Sequence, residues 1–288
     1  MNRISVVIPT YNHAKYVLNA IESVLASDGV STEIIVVNDG SPDNTHELLR
    51  DFPGIRYFRT ENHGAHAALN FGIEKSTHEY IAILNDDDLY KPNHLIGCLR
   101  DLEATNADIV VSRFEAFGTG PLLDQIRSHS VIMNKRVEQF GLLKSLLQVN
   151  WAVSTSAFFF KKSIWRANGG FSPLSMCHDY EFLLSAIVHG SATLYYSNRI
   201  DWLYRCHGQN SSNQVSIQAR RSQWYAATFI SYDLLPKNIQ NYLSEIALEH
   251  LGIDASLQRK ILSSVQGLAR SDLKLVNEKI LEFLETID

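Results

Sequence analysis

The chain has 288 residues, 45% of them hydrophobic and 20% charged, with a formal net charge of −5. That length and balance suit one large α/β domain, or a domain with a smaller one appended, whose core needs neither disulfides nor a structural metal. No basic stripe is present, which argues against nucleic acid as the main partner. The three widely spaced cysteines, Cys98, Cys177 and Cys206, fit neither a zinc pattern nor a disulfide framework, so reduced thiols in a cytosolic protein are expected.

Met1-Asn2-Arg3 leads directly into an apolar run without a signal-peptide pattern, and no apolar stretch approaches the length of a membrane span. Ile4–Pro9 reads as a buried strand, and Val17, Ile21, Val24 and Leu25 mark one face of the next helix. Glu33–Asp39 is a second strand, closed by the turn Asp39-Gly40-Ser41-Pro42. A helix follows from about Asn44, with Glu47 placed as in a capping box. Ile55–Phe58 is a third strand, Ala65–Lys75 a helix and Tyr80–Leu84 a fourth strand. Pro92 suits the first turn of a helix running to about Ala104, and Asp108–Phe114 is a fifth strand.

The pattern loosens from about 115 to 150, with a helix expected over Val137–Val149 and a loop feeding a strand over Asn150–Phe160. Asp179–His189 reads as a helix, and Leu194–Tyr196 and Trp202–Arg205 as two short strands. Beyond Asn210 only amphipathic helix is expected. Leu273, Val276, Ile280, Leu284 and Ile287 form one apolar stripe, which packs on its own domain or pairs two chains.

Alternating strands and helices imply a mainly parallel, doubly wound sheet, and such sheets bind ligands beyond the carboxyl ends of their strands. Three polar features sit at such ends: Pro9-Thr10-Tyr11-Asn12, Asp39-Gly40-Ser41 and Asp86-Asp87-Asp88. Three adjacent carboxylates repel one another unless a cation shares them. A divalent metal is the natural cation, since Mg²⁺ and Mn²⁺ favour carboxylate oxygen and bridge to substrate phosphates. Read alone, the triplet is equally an acidic surface turn. Its convergence with the other two strand ends favours a nucleotide-type site.

The segments VVIPTYNHAKYVLNAIESVL, EIIVVNDGSPDNT and ENHGAHAALNFGIEKSTHEYIAILNDDD, continued by NWAVSTSAFFFKKSIW, GGFS, HDYEFLL and YRCHGQNSS, resemble the family 2 glycosyltransferases of the GT-A fold. The resemblance covers roughly Ile4–Ser212. It implies a Rossmann-like α/β domain over 1–212, with a donor half to about 114 and an acceptor half over about 115–212, followed by a helical extension over 213–288. It further implies a nucleotide-sugar donor, usually UDP-linked, a divalent metal (Mn²⁺ or Mg²⁺) and transfer with inversion.

Carried over residue by residue, the resemblance makes Asp39 the contact to the donor's base, in a pocket with Thr10, Pro9, Tyr11 and Asn62. The family's acidic metal motif begins here on Asn85, a departure. It leaves Asp86 near the ribose, Asp87 as the metal ligand and Asp88 behind it in the metal set. His178-Asp179 matches the family's Glu-Asp pair, which makes Asp179 the base that takes the acceptor hydroxyl's proton; Glu181 is the alternative base. Tyr204-Arg205-Cys206-His207 resembles the closing loop, with Arg205 approaching the diphosphate and His207 the metal. Trp151, with His178, is expected on the acceptor side.

The implied acceptor is a glycan or a lipid-linked glycan in cell-surface assembly, with the protein in the cytosol or at the inner face of a membrane. Pairing of two chains through the last helices stays open. A nucleotidyltransferase would need a Gly-rich basic loop after the first strand, which PTYNHAKY lacks. A noncatalytic nucleotide-sugar-binding module is the other alternative, kept by Asn85 and His178.

Overall fold

The computed structural model describes residues 3–120, 123–148, 150–189, 192–210, 216–230, 232–251 and 255–285. Among them the strands are β1 (Arg3–Thr10), β2 (Ser31–Asn38), β3 (Ile55–Arg59), β4 (Tyr80–Ile83), β5 (Leu89–Tyr90), β6 (Ile109–Gly118), β7 (Phe158–Lys161) and β8 (Leu194–Cys206). The helices are α1 (Val17–Leu25), α2 (Thr45–Leu49), α3 (Ala65–Lys75), α4 (His94–Thr105), α5 (Leu123–Phe140), α6 (Leu142–Gln148), α7 (Lys162–Ala167), α8 (His178–Val188), α9 (Ile217–Phe229), α10 (Lys237–Leu251), α11 (Ala255–Val265) and α12 (Leu273–Glu285).

The strands form one sheet in the order β3-β2-β1-β4-β7-β6-β8-β5. β3, β2, β1 and β4 run parallel, β6 and β8 are parallel to each other, and β7 and β5 are the antiparallel members. Ile4, Val6–Ile8, Ile34–Val37, Ile81–Ile83, Ile109–Val111 and Phe158–Phe160 are all buried. Such unbroken apolar runs belong to strands covered on both faces.

Register aligns the strand ends. Thr10 lies beside Asn38 and Val7 beside Ile83, and the ladder extends through Leu84 N–H onto the Val7 carbonyl at 3.1 Å. Asp39 and the acidic run after Leu84 therefore leave the sheet on the same edge as Thr10.

Several local expectations differ from the structure. β8 is one strand rather than two, because the polar stretch Ser197–Arg199 is accommodated where its register against β6 shifts between Val111 and Phe114. Residues 123–136 are helical where a loose segment was expected, and the helix expected over Val137–Val149 is divided at Gly141, at φ 76°, into the end of α5 and α6. Residue 149, the expected helix end, lies outside the described residues. At α2, Asn44 makes no side-chain cap; Asp43 accepts from Thr45 N–H and hydroxyl at 3.2 and 2.6 Å instead. The two-residue strand β5, too short for any periodicity, was not expected at all.

The chain divides into two compact units: Met1–Val131 with Ala152–Phe171 and Ala192–Gly208, and Ile132–Trp151 with Ser172–Ser191 and Gln209–Asp288. The first holds the whole sheet. The expected boundary at 212 falls in 211–215, outside the described residues.

The second unit is helical. Tyr225, Ala226 and Phe229 of α9, Ile261 and Val265 of α11, and Leu273, Val276 and Ile280 of α12 share one core cluster. The described part of the C-terminal stripe thus packs within its own unit; Ile287 and the side chain of Leu284 lie outside what is described.

Candidate active site

The loops beyond β1 and β2 are stitched together by their own polar groups. Asp39 N–H donates to the Thr10 carbonyl at 2.9 Å, and Asn12 N–H, at φ 58°, donates to the Ser41 hydroxyl at 3.0 Å. Gly40 has φ 71°, and a Cβ there would lie 2.9 Å from the Asn62 nitrogen. Only glycine lets the chain pass this closely in that conformation. Asp39 is 4% exposed, and its carboxylate accepts the N–H groups of His63 and Gly64 at 3.0 and 2.8 Å. It therefore pins the loop entering α3; Oδ1 also accepts the Thr60 hydroxyl at 3.4 Å, while Oδ2, which accepts Gly64 N–H, keeps a second lone pair. Thr10 is buried with its hydroxyl acting on Asp86, Tyr11 is 46% exposed, Pro9 is half-buried and Asn62 is exposed.

The turn after β4 gives the three aspartates separate partners, although the charge of Asp87 still acts on both neighbours. Asp86 meets His13 Nδ1 at 2.8 Å and Tyr11 N–H at 3.3 Å. Asp87 Oδ2 meets His207 Nε2 at 2.9 Å. Asp88 turns inward, 1% exposed, accepting Arg205 N–H at 3.0 Å and the Ser156 hydroxyl at 2.6 Å. Asn85, the departure from the acidic motif, donates to the Ser154 hydroxyl and accepts from Thr155, at 3.0 and 2.8 Å. It ties the same turn to the residues before β7.

β5 explains how His207 reaches Asp87. Its two residues, directly after Asp88, pair antiparallel with Trp202 and Leu203 of β8. The strand that ends in Arg205 and Cys206 is thereby laced to the acidic turn. Arg205 Nε–H donates to the Asp87 carbonyl at 2.7 Å, and its guanidinium lies 4.9 Å from the Tyr16 ring and 4.5 Å from the Phe117 ring. Both rings present their faces to the cation.

Electrostatics show a cluster in want of positive charge. Burial pushes Asp86 up, against its bond to His13. Burial, with the charge of Asp87, pushes Asp88 well above the ordinary carboxylate range. Burial opposes a charge on His13, but the hydrogen bond to Asp86 and the field of Asp86, Asp87 and Asp43 outweigh it and bring its pKa up to about 9. His13 was missed in the sequence; the signal available was a histidine in the loop after β1, facing the strand end that carries the acids.

The site fits a divalent cation. Two neighbouring ligands of an octahedral ion at ~2.1 Å stand about 3 Å apart, which is the spacing of Asp87 Oδ2 and His207 Nε2. Asp88, expected in the metal set, has its oxygens engaged as a strut between β8 and the turn before β7.

One other group of potential ligands exists among the described residues: His94, Cys98 and Asp201, all buried. There Arg199 already provides the cation, with Nε 2.8 Å from Asp201 and Nη2 3.5 Å from Cys98, while His94 Nδ1 meets Asp201 at 2.8 Å. It is a self-balanced buried network.

In the second unit, Asp179 sits in the first turn of α8, 6% exposed. One oxygen accepts Tyr180 N–H and the other Asn150 Nδ2–H, both at 2.7 Å. Burial raises its pKa against the His178 charge and these bonds, making it a stronger base than an exposed aspartate. His178 is half-buried, with Nδ1 3.1 Å from the Leu174 carbonyl. Trp151, expected to stack on an acceptor sugar, is a core residue: it is 2% exposed and its indole N–H donates to the Leu142 carbonyl at 3.2 Å. Glu181, the alternative base, is 1% exposed and held by Arg270.

An α/β sheet with polar loops gathered beyond its parallel strands, and an acid–histidine pair at their centre, defines a nucleotide-handling class of enzyme. The model of glycosyl transferase family 2 matches residues 5–167, and the chain belongs to that family and is a glycosyltransferase. It is 33% identical over 265 residues to an uncharacterised glycosyltransferase of Rickettsia typhi, covering 85% of this chain and 79% of that one. In three other rickettsial relatives it spans only between 31% and 36% of their length.

The fold is GT-A. The likeness to Staphylococcus aureus TarS in complex with UDP-GlcNAc has a TM-score of 0.66 at 15% identity, covering all of this chain and 90% of that one. For the mannosyltransferase PcManGT of Pyrobaculum calidifontis, in complex with GDP-Man and Mn²⁺, the TM-score is 0.58 at 14% identity, over 98% and 86% of the two chains. Among the described residues no helix is long and apolar enough to cross a membrane.

Proposed function

We propose that this glycosyltransferase moves a sugar from a UDP-linked donor to an acceptor hydroxyl, with inversion and with help from Mn²⁺ or Mg²⁺. The observation that carries the reading is the meeting of Asp87 and His207 at 2.9 Å beyond β4, beside Arg205 and the loops of β1 and β2. Asp39 accepts the imide N–H of the base on the remaining lone pair of Oδ2, and Thr10 stands with it in the same pocket. Tyr11, Pro9 and Asn62 line it, and Asp86 serves the ribose.

Asp87 and His207 hold the cation, which offsets the charge that gathers on the departing diphosphate. Arg205, stiffened between two aromatic rings, adds a fixed positive charge on that side. Asp179 takes the proton of the attacking hydroxyl, a role its raised pKa favours. His178, the preceding residue, is assigned to the acceptor side.

The acceptor is a glycan or lipid-linked glycan. The enzyme is placed in the cytosol or at the inner membrane face, as the resemblance to the family implies.

A thermal-shift panel of UDP- and GDP-sugars with and without Mn²⁺ tests the donor site. Ligand at a hundred times its dissociation constant stabilises by about 2.7 kcal/mol. A UDP-sugar is expected to raise Tm only with metal present, and Asp87→Asn to abolish the metal-dependent part. A shift of equal size in Asp87→Asn would sink the assignment.

A further inference from the structure

The C-terminal helices hold a feature that neither the fold nor the donor site requires. Glu181 of α8 is 1% exposed and is gripped from the segment before α12 by Arg270, whose Nε and Nη2 lie 2.5 and 2.6 Å from its two oxygens. A carboxylate is buried this completely only when paired, and a two-pronged guanidinium contact fixes direction as well as charge. Just before that turn, Gln223 of α9, itself 6% exposed, accepts Met176 N–H at 2.8 Å and donates to the Ser175 hydroxyl at 2.9 Å. Tyr180 adds a third tie, its hydroxyl 2.9 Å from that of Thr228.

These contacts bracket Asp179. Residues two apart on a helix point roughly 200° away from each other. Glu181 therefore faces Arg270 while Asp179 faces Asn150 on nearly the opposite side. A pull on Glu181 sets the rotation of α8 about its own axis. At a side-chain radius of about 5–6 Å, a rotation of ~20° moves a carboxylate by about 2 Å, and a misplacement of ~1 Å can cost a reaction on the order of a hundredfold.

We propose that Arg270 and Gln223 are positioning residues: the C-terminal helices clamp the first turn of α8 from behind and so fix the carboxylate of Asp179 for proton abstraction. This rests on Asp179 being the base. It gives the extension a task in turnover beyond closing its own core, and it makes Glu181 an anchor rather than a second base.

The test uses the full chain, whichever of UDP-GlcNAc, UDP-Glc, UDP-Gal or GDP-Man gives the fastest metal-dependent nucleotide release, and Asp179→Asn alongside. Arg270→Met alone strands a buried carboxylate. The informative variants are therefore Gln223→Leu, Arg270→Lys and the pair Arg270→Met with Glu181→Leu, which removes both charges together.

We expect kcat to fall about tenfold or more in Gln223→Leu and in the double variant, with donor KM and Tm nearly unchanged. Arg270→Lys should recover part of the rate. A fall in kcat below threefold overturns the clamp. So does a larger fall matched by a rise in donor KM or by a loss of more than a few degrees in Tm, since either would make these contacts merely structural. Full turnover in Asp179→Asn would instead remove the base itself, a separate failure.

Discussion

Asp39 holds a loop and, in the proposed function, receives the donor's base, and substitution can separate the two. Its carboxylate holds the His63 and Gly64 N–H groups. Asp39→Ala leaves two N–H groups without their acceptor, and an unpaired buried donor costs about 1–3 kcal/mol. Tm is expected to fall and donor affinity with it. Asp39→Asn keeps the shape and one acceptor oxygen but sets an amide NH2 against the other N–H group, so Tm should fall less than in Asp39→Ala while affinity for a UDP-sugar drops. Thermal unfolding and calorimetric titration on the same samples check this; equal affinity in Asn and wild type would deny the contact to the base. The acidic triplet gives the same lesson about single residues. Asp86, Asp87 and Asp88 look alike in sequence, yet the turn assigns them to His13, His207 and a buried strut.

At the scale of elements, β8 carries more than its sequence suggests. It brings Arg205 to the acidic turn, and through Asp201 it anchors α4. Asp201 is 2% exposed, and although burial works against its charge, His94 and Arg199 hold its carboxyl below the ordinary value. A group whose folded pKa lies below its unfolded one stabilises fully above the unfolded value, about 3.9 for aspartate, and loses that contribution as pH falls through the folded one. Asp201→Asn should therefore lower Tm markedly at pH 7, and the gap to wild type should narrow toward pH 3. A gap of constant size between those values would mean that the charge of Asp201 does not matter.

The elements that sequence located well were those with enough periodic residues to average over. Ala65–Lys75 begins and ends as expected, and of the face expected on α1, Val17, Ile21 and Val24 are buried while Leu25, the last residue of the helix, is exposed. β5 has two residues and no period to detect, though it laces the acids to β8. The continuity of β8 was hidden because a register shift lets polar residues sit inside a strand. Trp151 misled for another reason: composition says that indoles can stack on sugars, but only burial tells which one is core.

At the scale of the molecule, the alternation of strands and helices was sufficient to give a mainly parallel sheet and the edge on which its ligand loops gather. What pattern alone left open was the use of the C-terminal helices. Their stripe of Leu273, Val276 and Ile280 closes a core with α9 and α11, and their polar residues reach α8. The loops proposed to bind the donor lie in the first unit and the proposed base, Asp179, in the second, so the two roles can be tested apart on variants of each. The most direct test of the whole account is the turnover of Asp179→Asn with its preferred nucleotide-sugar, measured beside its affinity for that donor. Loss of a general base should cut kcat on the order of 10²–10⁴-fold, with donor affinity and Tm close to wild type. Turnover that survives the substitution would contradict the account.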